Sequence, residues 1–277
     1  MTLRELLRDA AADLERAGCP SPRVDAEFLL SHMLSRSRTE LYLGLEETLP
    51  PEAEARYREL VARRARREPL AYILGEWGFR GLTLRVDPRV LIPRPETEVV
   101  VERCLQLLGE IEEPEVLDVG VGSGAIALAI AQEHPGARVT GFDNSAGALA
   151  VARANLAATN LDGRVRLVQH DLQGGFGADL FDLVVSNPPY VEENEVARLA
   201  PEVRDWEPRA ALVSPGATEF VARAAHEALK QGRWLVLEVA DGKAAAVADT
   251  LVELGYAPVS IDRDLAGRDR IVSGRKG

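Results

Sequence analysis

The chain has 277 residues, 46% of them hydrophobic and 28% charged, with a net charge of -11. That length suffices for two ordinary domains, and that composition excludes a disordered chain. No apolar run approaches the roughly 20 residues of a membrane span, and the amino-terminal stretch interleaves charges unlike a secretory leader, so a cytoplasmic protein is expected.

The first third reads as helices. In TLRELLRDAAADLERAG, residues Leu3, Leu6, Leu7, Ala10, Ala11 and Leu14 share one face, and Gly18 closes the pattern. SPRVDAEFLLSHMLS follows, with Val24, Phe28, Leu29 and Met33 expected on its apolar side. A third helical pattern, TLPPEAEARYRELVARRARRE, ends where Pro69 removes a helix donor. Residues 1–75 are therefore expected to form a small all-helical domain.

The period then changes. AYILGEWGFRGLTLRVDPRVLIPRPETE alternates apolar and polar residues around Gly75, Gly78 and Gly81, and predicts a β-hairpin running into a loop fixed by Pro93 and Pro95. Residues 76–98 are read as this hairpin and loop, with a helix resuming at ETEVVVERCLQLLGE.

From residue 115 strand, loop and helix alternate. The expected strands are EVLDVG, ARVTGFD, RVRLVQ, FDLVVSN, RWLVLEVA, YAPVSID and RDRIVSG. Alternation of this kind builds an α/β fold with a mostly parallel Rossmann-like sheet. The short turn between the last two strands predicts one antiparallel strand at the edge. Residues 99–277 are read as this second domain.

Three acids follow successive strands. VLDVGVGSG places Asp118 before a turn containing Gly120, Gly122 and Gly124, whose GxGxG spacing departs from the dinucleotide fingerprint. A carboxylate there would repel a pyrophosphate but suit a cation. Asp143 ends the next strand, placed for ribose hydroxyls, and Asp171 follows the third, within reach of an adenine amino group. S-adenosylmethionine, cationic and free of phosphate, fits these acids, and S-adenosylhomocysteine would be the product.

The fourth strand ends in Asn187-Pro188-Pro189-Tyr190. Asn187 Oδ1 can accept one N–H of a planar amino group, the Pro188 carbonyl can accept the other, and neither proline offers a competing donor. Tyr190 can pack on a flat substrate and tolerates a nearby sulfonium. The catalytic set is thus Asn187, Pro188 and Tyr190, with Pro189 also facing substrate. Adenine N6, cytosine N4 and a glutamine side chain all satisfy this geometry.

Other chemistries find little support. Cys19 and Cys104 lack metal-ligand spacing, and His32, His134, His170 and His226 are scattered singly, so neither a metal site nor a Ser/His/Asp triad is expected. Residues 1–80 carry a net charge of -1 and residues 81–277 a net charge of -10. An acidic second half argues against free nucleic acid as the partner and suits a basic protein surface.

Residues 68–98, together with VLDVGVGSGAIALA and VVSNPPYV, closely resemble the release factor glutamine methyltransferase family (HemK/PrmC). The likeness spans essentially the whole chain. It implies a class I S-adenosylmethionine-dependent methyltransferase fold and N5-methylation of the glutamine in the GGQ loop of class 1 peptide chain release factors. It also implies that Asp118, Val119, Gly120, Val121, Gly122, Asp143, Leu172 and Asn187 line the cofactor site. Asn187 to Tyr190 would hold the substrate glutamine, and the helical domain would bind the release factor. Relatives often carry an aromatic residue where Leu172 stands. Arg94, Glu96 and Thr97 fall in the matching proline loop, with no chemistry assigned to them.

Two rivals remain. A DNA or RNA amino-methyltransferase should show a basic channel and a recognition insertion after the NPPY turn, whereas residues 191–216 are short and rich in acids. A non-catalytic binding protein would not need the acids and the NPPY turn intact.

Overall fold

A computed structural model describes residues 1–171, 174–178 and 180–277. The chain forms two compact units, Met1–Glu76 with Leu199–Trp206, and Trp77–Arg198 with Glu207–Gly277.

The first unit begins with α1 (Leu3–Arg16), capped by Thr2: its hydroxyl accepts the Glu5 amide while the Glu5 carboxylate accepts the Thr2 amide. Leu3, Leu6, Ala10 and Leu14 are buried in one core with residues of α2 (Pro22–Leu34), α3 (Arg38–Leu43), α4 (Pro51–Ala65) and α5 (Leu70–Leu74). On α2 the apolar face differs from expectation. Leu29 is buried, but Val24 is 40% and Phe28 37% exposed, while Asp25 and Glu27 are buried.

Ion pairs explain that reversal. Arg64, 3% exposed, donates from Nε to Asp25 Oδ2 at 2.7 Å and from Nη2 to Glu202 Oε1 at 2.8 Å. Arg67 grips the same Glu202 carboxylate with two bonds of 2.8 and 2.6 Å. Glu27 accepts from Arg23, Arg38 and Tyr42, and these bonds hold its carboxyl below the usual range despite the burial that pushes it up.

The second unit opens with the hairpin β1 (Glu76–Phe79) and β2 (Leu82–Arg85). Residues 71–74, where the alternating pattern already begins, complete α5 within the helical stretch expected over residues 1–75, because Pro69 pre-sets a helical turn and Gly75 ends it in the left-handed region. Then come α6 (Pro95–Leu108), β3 (Glu115–Val119), α7 (Ala125–Glu133), β4 (Arg138–Asp143), α8 (Ala146–Ala157), β5 (Val165–Gln169) and β6 (Phe181–Ser186). After α9 (Pro201–Arg204), which lies in the segment of the first unit, follow α10 (Arg209–Leu212), α11 (Ala217–Ala228), β7 (Leu229–Glu238), α12 (Ala244–Glu253), β8 (Tyr256–Arg263) and β9 (Asp269–Lys276). β7 starts at Leu229, four residues ahead of the RWLVLEVA run expected to form this strand.

The sheet is seven-stranded, ordered β5-β4-β3-β6-β7-β9-β8. The first five strands are parallel, and β9 runs antiparallel to both β7 and the edge strand β8. Alternation along β3 serves two cores. Val116 packs with residues of α6, α7 and α8, and Leu117 with those of α11 and α12. The connections leave β3 and β6 in opposite directions, which opens a crevice at their carboxyl ends.

Candidate active site

The glycine loop after β3 turns sharply, with Gly120, Gly122 and Gly124 all at positive φ, a conformation that costs glycine little. Its height is set from below. A Cβ on Gly141 in β4 would stand 2.7 Å from Val121 Cγ2 and 3.0 Å from Leu167 Cδ2. The loop is also held from above by Asn155 on α8, 2% exposed. Asn155 Nδ2 donates to the carbonyls of Ser123 (2.8 Å) and Arg85 (3.0 Å), and its Oδ1 accepts the Arg85 amide at 2.7 Å. One side chain therefore ties the hairpin to the loop, a role that no local sequence pattern announces.

A cavity of about 210 Å³ opens at this crevice. Gly120, Val121, Gly122 and Asp143 line it from the cofactor set, and Asn187 and Pro189 from the NPPY turn. Asp143 Oδ2 accepts the Gly122 amide and Oδ1 the Ser145 amide, each at 2.9 Å. Burial raises its carboxyl pKa against these bonds.

Asp118 and Val119 lie beneath the cavity and not in its wall. Asp118 is 1% exposed, its Oδ2 accepting the Ala127 amide at 3.0 Å while Oδ1 has no protein partner. Burial pushes its pKa up to about 7, the Ala127 bond opposes, and Asp143 adds to the rise. The Val119 carbonyl accepts the Ser186 hydroxyl at 2.7 Å, which joins the tips of β3 and β6. Asp171 is exposed beyond β5 and outside the lining, and Leu172 falls outside the described residues.

Pro188 is buried behind the wall. Tyr190 lines a neighbouring cavity of about 450 Å³, bounded also by Val213, Val239 and Val247, and its hydroxyl donates to Glu238 Oε1 at 3.4 Å. Burial pushes the Tyr190 pKa up to about 12, with the Glu238 charge adding to it. Two further wall residues come from the proline loop. Thr97 lines the cavity and lies 3.4 Å from Asn187 Nδ2. Arg94 donates from one nitrogen to both oxygens of buried Glu207 at 2.7 Å.

The donor set fits S-adenosylmethionine. Beneath the loop lies a carboxylate oxygen with no partner, a second carboxylate stands in the wall, and a Cβ added to Gly120 would meet open space. Among the described lining residues the two cations are already engaged, Arg89 by Asp87 and Arg94 by Glu207. A pyrophosphate would find no unpaired positive side chain there. Among the described residues no group of His, Cys, Asp and Glu is arranged to hold a metal ion.

Comparison with known proteins decides the family. The PrmC N-terminal domain family matches residues 5–75 and the methyltransferase small domain family residues 98–246. The release factor glutamine methyltransferase of Geobacter sulfurreducens is 42% identical over 100% of this chain and 97% of its own length. The chain belongs to the release factor glutamine methyltransferase family.

Other members of that family are equally similar. The enzyme of Deinococcus radiodurans is 42% identical over 100% of this chain and 99% of its own, and that of Rhodopirellula baltica 41% identical over 99% and 96%. Two solved structures share the fold. A methyltransferase from Pyrococcus furiosus superposes with a TM-score of 0.52 at 20% identity, covering 71% of this chain and 90% of that one. The hMettl16 catalytic domain reaches 0.60 at 19% identity, covering 79% and 82%. The sheet of this family member is thus that of class I methyltransferases.

Proposed function

We propose that the protein transfers a methyl group from S-adenosylmethionine to N5 of the glutamine in the GGQ loop of class 1 peptide chain release factors. The observation that carries this reading is the single cavity wall in which Gly120, Gly122 and Asp143 meet Asn187 and Pro189, in a chain 42% identical to release factor glutamine methyltransferases along its whole length.

When bound, S-adenosylmethionine supplies a methyl group on a positively charged sulfur. Gly120, Val121 and Gly122 would bring backbone close to it, Asp143 would take ribose hydroxyls, and Asp118 would supply negative charge from beneath the loop. Asp171 and Leu172, following β5, would border the adenine.

The substrate side follows from amide chemistry. The nitrogen of a glutamine side chain is a poor nucleophile because its lone pair is delocalised. Asn187 Oδ1 and the Pro188 carbonyl would each accept one of its two N–H bonds, drawing electron density onto nitrogen and aiming it at the methyl carbon. Orientation of this sort supplies as much as ~7–11 kcal/mol of barrier reduction. Tyr190 and Pro189 would border the glutamine. The acidic character of residues 81–277 suits a basic loop, and the helical unit would bind the release factor away from that loop. No helix is long and apolar enough to cross a membrane among the described residues, and a partner engaged in translation would put the reaction in the cytoplasm.

The test incubates purified protein with methyl-labelled cofactor and, separately, release factors, DNA and RNA, then maps the label by mass spectrometry. Label on the GGQ glutamine, lost when that glutamine is replaced by alanine, is the expected result. Label on a nucleobase, or on no substrate, would overturn the reading.

A further inference from the structure

Behind Asn187 lies a buried carboxylate that the substrate does not need to touch. Glu238 ends β7 and is 1% exposed. Ser186 pairs with Leu237 in the sheet, so the next residues along the two strands, Asn187 and Glu238, emerge side by side. Thr97, 4% exposed in the first turn of α6, stands next to both. Its hydroxyl donates to Glu238 Oε2 at 2.6 Å, and Asn187 Nδ2 approaches the same Thr97 oxygen at 3.4 Å.

With Glu238 ionised, the direction of these bonds is fixed. An ionised carboxylate only accepts, and a hydroxyl has one proton. Once that proton points at Glu238, Thr97 offers Asn187 only lone pairs. Of the two orientations of the Asn187 amide, one places N–H on those lone pairs and the other places oxygen against oxygen. The first turns Oδ1 away from Thr97. Glu238 Oε1 meanwhile accepts from the Tyr190 hydroxyl, so the same carboxylate directs both ends of the Asn187–Tyr190 turn. Burial pushes the Glu238 carboxyl above its usual range and Glu96 adds to the rise, while the Thr97 and Tyr190 hydrogen bonds and nearby Arg270 favour its charged form.

We infer that Thr97 and Glu238 are positioning residues that lock the Asn187 amide with its oxygen, and not its nitrogen, toward the substrate amino group. The inference rests on the proposed glutamine methylation and adds to it the device that sets the polarity of the grip. With the lock removed, Asn187 samples both orientations, and the wrong one sets NH2 against NH2. The cost falls on the transition state, because a release factor is held by much more surface than one amide.

Thr97→Val keeps the shape and deletes the hydroxyl, and Thr97→Ser keeps the hydroxyl. With a release factor as substrate, T97V should lower kcat roughly 10–100-fold, the range that misplacement of a reacting group produces. KM for the release factor and Kd for S-adenosylmethionine, measured by calorimetry, should stay within about twofold. T97S should return kcat to within about threefold of the wild type, with the melting temperatures of both variants close to it. Should T97V fail to fold, T97A is judged by the same criteria. A kcat within twofold of wild type for T97V, equal impairment of T97V and T97S, or a loss carried by KM or cofactor affinity would each overturn the inference. If the wild-type protein labels no release factor, the parent reading falls with it, which separates the two failures.

Discussion

Asp143 and Gly122 are joined by a hydrogen bond of 2.9 Å from the Gly122 amide to the Asp143 carboxylate. The acid at the tip of β4 and the loop after β3 are therefore one construction. Hydrogen bonds to a charged group contribute about 1.5–3 kcal/mol each. Asp143→Ala is expected to raise Kd for S-adenosylmethionine about 10-fold or more by calorimetry, and Asp143→Asn, which keeps one acceptor, to fall between. Unchanged affinity in D143A would remove Asp143 from the proposed site.

Asn187→Ala separates chemistry from folding. Among the described residues the Asn187 side chain makes one long hydrogen bond, to Thr97, so its loss should move the melting temperature by no more than about 3 °C. Methyl transfer to a release factor should drop at least roughly 100-fold. Turnover near that of wild type would show that Asn187 does not grip the substrate.

The buried ion pairs of the first unit differ in worth. Arg64→Ala leaves Asp25 buried and uncompensated, a situation that costs about 3–5 kcal/mol. Arg67 is more exposed, and Glu202 keeps Arg64 when it is removed, so Arg67→Ala should cost about 1 kcal/mol. Urea midpoints followed by far-UV circular dichroism test the ranking; equal losses would refute it.

Asp118 makes stability depend on pH with a defined sign. Its folded pKa, about 7, lies above the unfolded carboxylate value near ~3.9. Between those values the unfolded chain binds fewer protons than the folded one, so this group destabilises the fold progressively as pH rises from about 4 to 7, and the penalty is constant above that. Asp143 and Cys104 are the titratable groups that interact with it. Replacing Asp118 with Asn removes the titration, so the stability of wild type minus that of D118N should fall across this window by an amount on the order of 4 kcal/mol. A difference that is flat with pH in urea unfolding would contradict the assignment.

Local pattern revealed the strands and glycine loop because strand alternation and turn chemistry are written within a few residues. What it missed was long-range pairing. Val24 and Phe28 were expected inside, yet α2 buries Asp25 and Glu27, since their partners Arg64 and Arg38 lie elsewhere in the chain. Glu238 reads as one acid in the apolar run LVLEVA until Thr97, 141 residues away, is found beside it. Asn155 is likewise unremarkable within its helix until Arg85 and Ser123 appear as its partners. Of the proposed site residues, Gly120, Gly122, Asp143 and Asn187 share one cavity wall, whereas Asp118 lies under it and Tyr190 turns to the adjoining cavity.

Gly141 carries its own lesson about mutational tolerance. It lies in the middle of β4, where a β-branched residue would suit the strand better than glycine does. Any side chain there would nonetheless press on Val121 and lift the loop above it. A saturation library at position 141 screened only for expression should therefore accept residues that the same library screened for methyl transfer rejects, making a position without a side chain a sensor for the shape of the space above it.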